Sequence, residues 1–198
     1  MRSEKEWESE MHIDTCGRDG SAEDERHHAY EPTPYEVLEE LLNSGWIGRE
    51  NVLVDYGCGK GRVGIFLSRK TGCKSLGIDY REELVREARR NGVHAGLGGK
   101  AEFFCADAQT WELPPEADSL YFFHPFPVKV LERALDRVLD SWYEAPRRMR
   151  LYFYYPSEAY IAALMQVEEL SFLDEIDCSA YFPGDERERI LIFETEEA

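Results

Sequence analysis

Val52-Leu53-Val54-Asp55-Tyr56-Gly57-Cys58-Gly59-Lys60-Gly61-Arg62-Val63 is the stretch from which the fold is read. A short apolar run ends in an acid, passes into glycines at alternate positions and leads into a helical pattern. Glycines at 57 and 59 let a backbone turn tightly and approach a ligand, because no Cβ intervenes. A helix opening near Gly61 directs its free N–H groups into the same crevice. A dinucleotide fingerprint would read Gly-x-Gly-x-x-Gly; here the third glycine comes one residue early, and Asp55 stands beside the ligand.

Outward from this loop, apolar runs and amphipathic segments alternate. Strands are expected at 51–55, 74–79, 101–107, 119–123 and 150–155, with helices at 61–70, 82–91, 128–142 and 160–167. An earlier helix begins after Pro34 and stops at Gly45. Two last strands, 170–179 and 189–194, join through Pro183-Gly184-Asp185. Alternation predicts an α/β, doubly wound, mostly parallel sheet, and consecutive final strands predict a C-terminal antiparallel hairpin.

The acids at the strand ends narrow the ligand. Asp55 would repel a pyrophosphate but suits an amino group. Asp79 follows Gly59 by twenty residues, where an acid binds ribose hydroxyls in such folds. Asp107 could accept from an adenine amino group. An ammonium, a ribose and an adenine without phosphate describe S-adenosylmethionine.

With these residues in place, the chain resembles class I (Rossmann-like) S-adenosylmethionine-dependent methyltransferases over about residues 30–195. Asp55-Tyr56-Gly57-Cys58-Gly59-Lys60-Gly61 is similar to their first motif, Asp79 to the acid after the second strand and Asp107-Ala108 to the adenine-side motif. The resemblance implies a seven-stranded sheet. Tyr30-x-x-Thr33 resembles a segment of Rossmann-type lysine methyltransferases that closes over the methionine end of the cofactor, and nearby residues resemble uncharacterised bacterial methyltransferases. The expected cofactor residues are therefore Tyr30, Thr33, Asp55, Gly57, Cys58, Gly59, Gly61, Asp79, Tyr80, Asp107 and Ala108.

His124-Pro125-Phe126-Pro127 sits where amine methyltransferases carry Asn/Asp-Pro-Pro-aromatic. His124, Pro125 and Phe126 are the expected catalytic set. The histidine departs from the family pattern; its imidazole can accept a hydrogen bond from an amine and act as a general base. A nitrogen acceptor, on a protein lysine or a small amine, comes first. A small-molecule O-methyltransferase, a non-catalytic S-adenosylmethionine-binding protein and an aminopropyltransferase remain alternatives. Of the runs Tyr121-Phe122-Phe123 and Tyr152-Phe153-Tyr154-Tyr155, only the last members should reach the crevice, which makes Tyr155 a pocket candidate. Lys60 and Arg62 read as solvent-facing or paired with carboxylates.

The chain has 198 residues, 43% hydrophobic and 13% aromatic, with 23 basic and 40 acidic residues and a net charge of −17. That balance argues against nucleic acid held by phosphate neutralisation and against anionic membranes. Residues 1–31 carry −6 and residues 174–198 carry −7, leaving −4 on the body. Residues 1–29 are expected to be poorly packed with one short helix, within an acidic arm of residues 1–34 proposed as a lid on a methyltransferase domain spanning 35–198. Five scattered cysteines without a Cys-x-x-Cys pair, and an isolated His27-His28, predict no metal site and no disulfide framework. No apolar run approaches a membrane span or a secretory leader. A cytoplasmic monomer or weak homodimer is expected, acting on a small molecule or a protein.

Overall fold

The computed structural model describes residues 2–18 and 30–195. His27 and His28 lie outside them. Thirteen elements follow in chain order: α1 (Glu4–Met11), α2 (Tyr35–Ser44), β1 (Val52–Tyr56), α3 (Arg62–Thr71), β2 (Lys74–Asp79), α4 (Glu82–His94), β3 (Ala101–Cys105), β4 (Ser119–Phe123), α5 (Val128–Glu144), β5 (Arg150–Tyr154), α6 (Glu158–Leu164), β6 (Leu170–Asp177) and β7 (Arg189–Thr195). One seven-stranded sheet has the order β3-β2-β1-β4-β5-β7-β6. Strands β1 to β5 pair in parallel; β7 runs antiparallel between β5 and β6. The expected architecture is present. The strand order reverses at β1, so a crevice opens beyond the carboxyl ends of β1 and β4.

Alternation along each central strand divides the core into two layers. Leu53, Tyr121, Tyr152 and Tyr154 face α2 and α3, while Val54, Tyr56, Phe122 and Phe153 face α5 and α6. Phe122 stacks between Tyr56 at 4.6 Å and Phe153 at 4.7 Å, tying the three middle strands together on one face. Among the connections between the parallel strands, the β3–β4 crossover, residues 106–118, is the one without a helix. Leu113 and Ala117 cover the sheet there instead.

The N-terminal segment differs from the expected loose arm. Trp7, Met11 and Ile13 are buried in the first core layer, with Trp7 stacked on Tyr35 at 5.8 Å and edge-on to Phe66 at 5.3 Å. Trp7 and Met11 are four residues apart and share one helix face. Two apolar residues in an eight-residue helix are too few to register as a period against so many charges. Among the described residues, no helix is long and apolar enough to cross a membrane.

Candidate functional site

The glycine loop leaves β1 with Gly57, Gly59 and Gly61 all at positive φ (78°, 51° and 86°). It is pinned by two bonds from Gly57 N and Cys58 N to the Ile78 carbonyl, 2.8 and 2.9 Å. A Cβ on Gly57 would lie 2.4 Å from Pro125 Cβ, so this glycine lets β1 meet the loop after β4. Gly59 and Gly61, expected at the ligand, do not line the cavity. A Cβ on Gly59 would lie 2.2 Å from the Tyr30 ring, and one on Gly61 would lie 2.8 Å from the Phe103 ring. Their missing side chains make room for the protein's own aromatic rings.

A cavity of about 610 Å³ lies at the carboxyl ends of the central strands. It brings together Tyr30, Thr33, Asp55, Gly57, Cys58, Asp79, Tyr80, Asp107, Ala108, His124, Pro125 and Phe126 from the expected set, and Tyr155 as well. Asp55 is 3% exposed, and its Oδ2 has no hydrogen-bond partner. Burial, reinforced by the neighbouring Asp79 carboxylate, pushes its carboxyl up to about 8. Asp79 bridges two elements. Its Oδ2 accepts from Gly59 N at 3.0 Å and its Oδ1 from Arg81 N at 2.9 Å. Asp107 caps its own turn, accepting from Gln109 N at 2.9 Å, and also faces the cavity.

Tyr30 lies across the glycine loop, and its hydroxyl donates to the Thr15 carbonyl at 2.5 Å. Thr33 Oγ1 lies 3.3 Å from the Tyr121 hydroxyl. Both are organised by Arg62, which the sequence reading pairs only with unspecified carboxylates. Its guanidinium is 3% exposed. It donates to Thr15 Oγ1 (2.7 Å), the Thr33 carbonyl (3.1 Å), Glu4 Oε1 (2.6 Å) and Glu8 Oε1 (3.3 Å). It also lies 4.4 Å from the centre of the Tyr35 ring. Glu8 in turn accepts from Thr15 N and the Tyr35 hydroxyl, each at 2.7 Å. One buried cation thus binds α1 and the Tyr30–Thr33 segment to the start of α3.

His124 and Tyr155 follow β4 and β5 directly, and each precedes a proline. Both adopt positive φ, 38° and 52°, a costly backbone for a non-glycine residue and one concentrated at functional sites. The His124 ring lies 4.7 Å from the Tyr160 ring, and the Tyr160 hydroxyl donates to the Phe126 carbonyl. Phe126 is 6% exposed and lies edge-on to Phe122, so it fills the second core layer while closing the cavity floor.

Sequence reading misses Phe182, Arg187 and Glu188 from the β6–β7 hairpin, which line the far wall, and Glu31 and Arg18, which also line the cavity. The signal was topological: an antiparallel β7 beside β5 starts where β5 ends, so the residues before it return to the ligand edge.

Residues 53–145 match the family model described as a methyltransferase domain. A protein-lysine N-methyltransferase of Saccharolobus islandicus (strain REY15A) is 32% identical over 76 residues, 38% of this chain and 47% of the relative. The match thus spans about half the length of that relative. Among solved structures, an RNA methyltransferase from Salinibacter ruber in complex with S-adenosyl-L-homocysteine superposes with a TM-score of 0.55 at 21% identity, covering 85% of this chain and 95% of that one. The [4+2]-cyclase SpnF superposes at 0.65 with 16% identity, covering 82% and 81%. At these identities the two structures speak to the fold alone.

Proposed function

We propose that this chain, which has the class I methyltransferase fold and carries a methyltransferase domain, transfers a methyl group from S-adenosylmethionine to a nitrogen acceptor on a protein lysine or a small amine. The observation that carries the reading is the Asp55 carboxylate, buried at the cavity with one oxygen unpartnered. A buried carboxylate of this kind is ionised once a cation reaches it. The α-ammonium of the cofactor is that cation. Asp79 would accept from the ribose hydroxyls, Asp107 and Ala108 would face the adenine, and Tyr30 and Thr33 would close the methionine end. When bound, S-adenosylmethionine supplies an electrophilic methyl group on a sulfonium.

The chain's own contribution is positioning. His124 is held in a fixed backbone by Pro125 and by Tyr160. Its imidazole would orient the acceptor amine and accept the proton the amine must shed. The lysine specificity in the relative's name supports nitrogen over oxygen. Residues 1–34 would serve as the cover of the cofactor over a catalytic domain of residues 35–198, in a cytoplasmic monomer or weak homodimer. The net charge of −17 favours protein or small-molecule substrates over nucleic acid.

Incubation with methyl-labelled cofactor and poly-L-lysine, a small primary amine or a small phenol tests the reading. Label should enter the amines, and His124→Ala should keep cofactor affinity while losing at least tenfold in turnover. Labelled phenol with unlabelled amines would overturn it.

A further inference from the structure

We infer that the far end of the cavity is a cation subsite in which Glu188 receives the ammonium of the acceptor while the rings of Phe123, Tyr154 and Phe182 flank its alkyl stem. The inference rests on the nitrogen-acceptor reading and names the residue that enforces it. Glu188 lines the cavity just before β7, and its Oε2 accepts from the Tyr154 hydroxyl at 2.6 Å. Tyr154 is itself 2% exposed, and its ring lies 4.6 Å from that of Phe123. The carboxylate is therefore fixed by a buried phenol, in a cavity that Phe123 and Phe182 also line.

Charge pairing around the cavity leaves this acid apart. Each arginine lining it is engaged by an acid other than Glu188: Arg18 with Glu31 at 3.6 Å, Arg62 with Glu4 and Glu8, Arg81 with Glu83 at 2.7 Å and Arg187 with Asp185 at 3.8 Å. Arg187 is further held over the Tyr155 ring, 4.0 Å from its centre. Among the described residues, no basic side chain forms an ion pair with Glu188. Burial, with Asp185 and Glu31 nearby, raises its carboxyl against the lowering influence of Tyr154 and Arg187. Two like charges facing one cavity are relieved by a cation entering between them.

Asp55 is an independent sign that this cavity takes up positive charge, since its buried Oδ2 has no partner in the protein. Asp55 and Glu188 both line this cavity, so the two acids face one space. One acid suits the cofactor's ammonium, and the other remains for the acceptor. Aromatic faces beside a carboxylate select a cation with an apolar stem. A neutral hydroxyl acceptor would leave Glu188 without a counter-charge.

Glu188→Gln removes the charge and keeps an oxygen for the Tyr154 hydroxyl, so the wall is preserved. Binding of n-butylammonium and of n-butanol is to be titrated by NMR on protein saturated with S-adenosylhomocysteine. Wild type should prefer the ammonium; Glu188→Gln should weaken it at least tenfold, leave n-butanol unchanged and keep the affinity for S-adenosylhomocysteine. Equal ammonium binding by wild type and variant, or no preference over n-butanol in wild type, overturns the subsite. A wild type that binds the ammonium through Glu188 yet labels no amine overturns methyl transfer to nitrogen and leaves the subsite standing.

Discussion

If Asp55 receives the cofactor's ammonium as proposed, it couples cofactor binding to pH. Its carboxyl lies at about 8 against an ordinary 3.8, so between those values the folded, unliganded protein holds a proton that the unfolded chain has released. Stability of the unliganded protein therefore falls as pH rises through that window. A cationic ligand needs the ionised form, so its affinity rises over the same window and levels off above about 8. Asp55→Asn should flatten both trends in melting and calorimetric titrations from pH 5 to 9, and should weaken S-adenosylmethionine by about 10–100-fold at pH 8, the range of one charge-assisted bond. A wild-type affinity independent of pH would refute the assignment. Gly59 makes a second residue-scale prediction. Gly59→Ala places a methyl 2.2 Å from the Tyr30 ring at φ +51°. It should destabilise by about 1–2 kcal/mol from the backbone alone, and more from the clash. Adding Tyr30→Ala should recover the clash component, which a double-mutant cycle in denaturant would read as a coupling.

At the scale of elements, α1 is held by apolar packing and by one buried cation. Trp7→Ala should cost about 3–5 kcal/mol, the range for emptying a buried aromatic site. Glu8→Ala should cost about 3–5 kcal/mol, because the Arg62 guanidinium stays buried with one carboxylate fewer. Both are read from urea midpoints. A segment that opened and closed freely over the cofactor would show neither loss. Because Arg62 also holds the Thr33 carbonyl, Glu8→Ala should loosen the Tyr30–Thr33 segment and weaken cofactor binding. The helix-to-site coupling is legible only in space. Glu8 and Arg62 lie 54 positions apart, and local spacing carries no trace of their pairing.

For the whole molecule, the charge distribution predicts how a cationic acceptor arrives. The ends carry −6 and −7, and the body is nearly balanced. Residues from both acidic ends line the cavity, Glu31 from one and Glu188 from the other. The field there should attract a cation and be screened by salt. Raising ionic strength from 0.01 M to 0.15 M shortens the screening length from about 30 Å to about 8 Å. KM for an amine acceptor should rise severalfold over that range with kcat little changed, and a salt-independent KM would reduce the acidic ends to solubility.

Most of the fold follows from local pattern. Period-two and helical repeats, glycines at alternate positions and acids at two strand ends determined the parallel sheet, its antiparallel hairpin and the near wall of the cavity, because each is written within a few neighbouring residues. Three things were decided only by tertiary structure. Trp7 and Met11 became core because α2 and α3 offered them a surface. The Tyr30 and Phe103 rings came to lie against Gly59 and Gly61 because rings from elsewhere in the chain settle on the loop. Glu188 reached the far wall because β7 turns back beside β5 and returns a distant loop to the ligand edge. Periodicity reports which face of an element is apolar; what meets that face, or closes over a glycine, depends on chain reversals that no local pattern encodes.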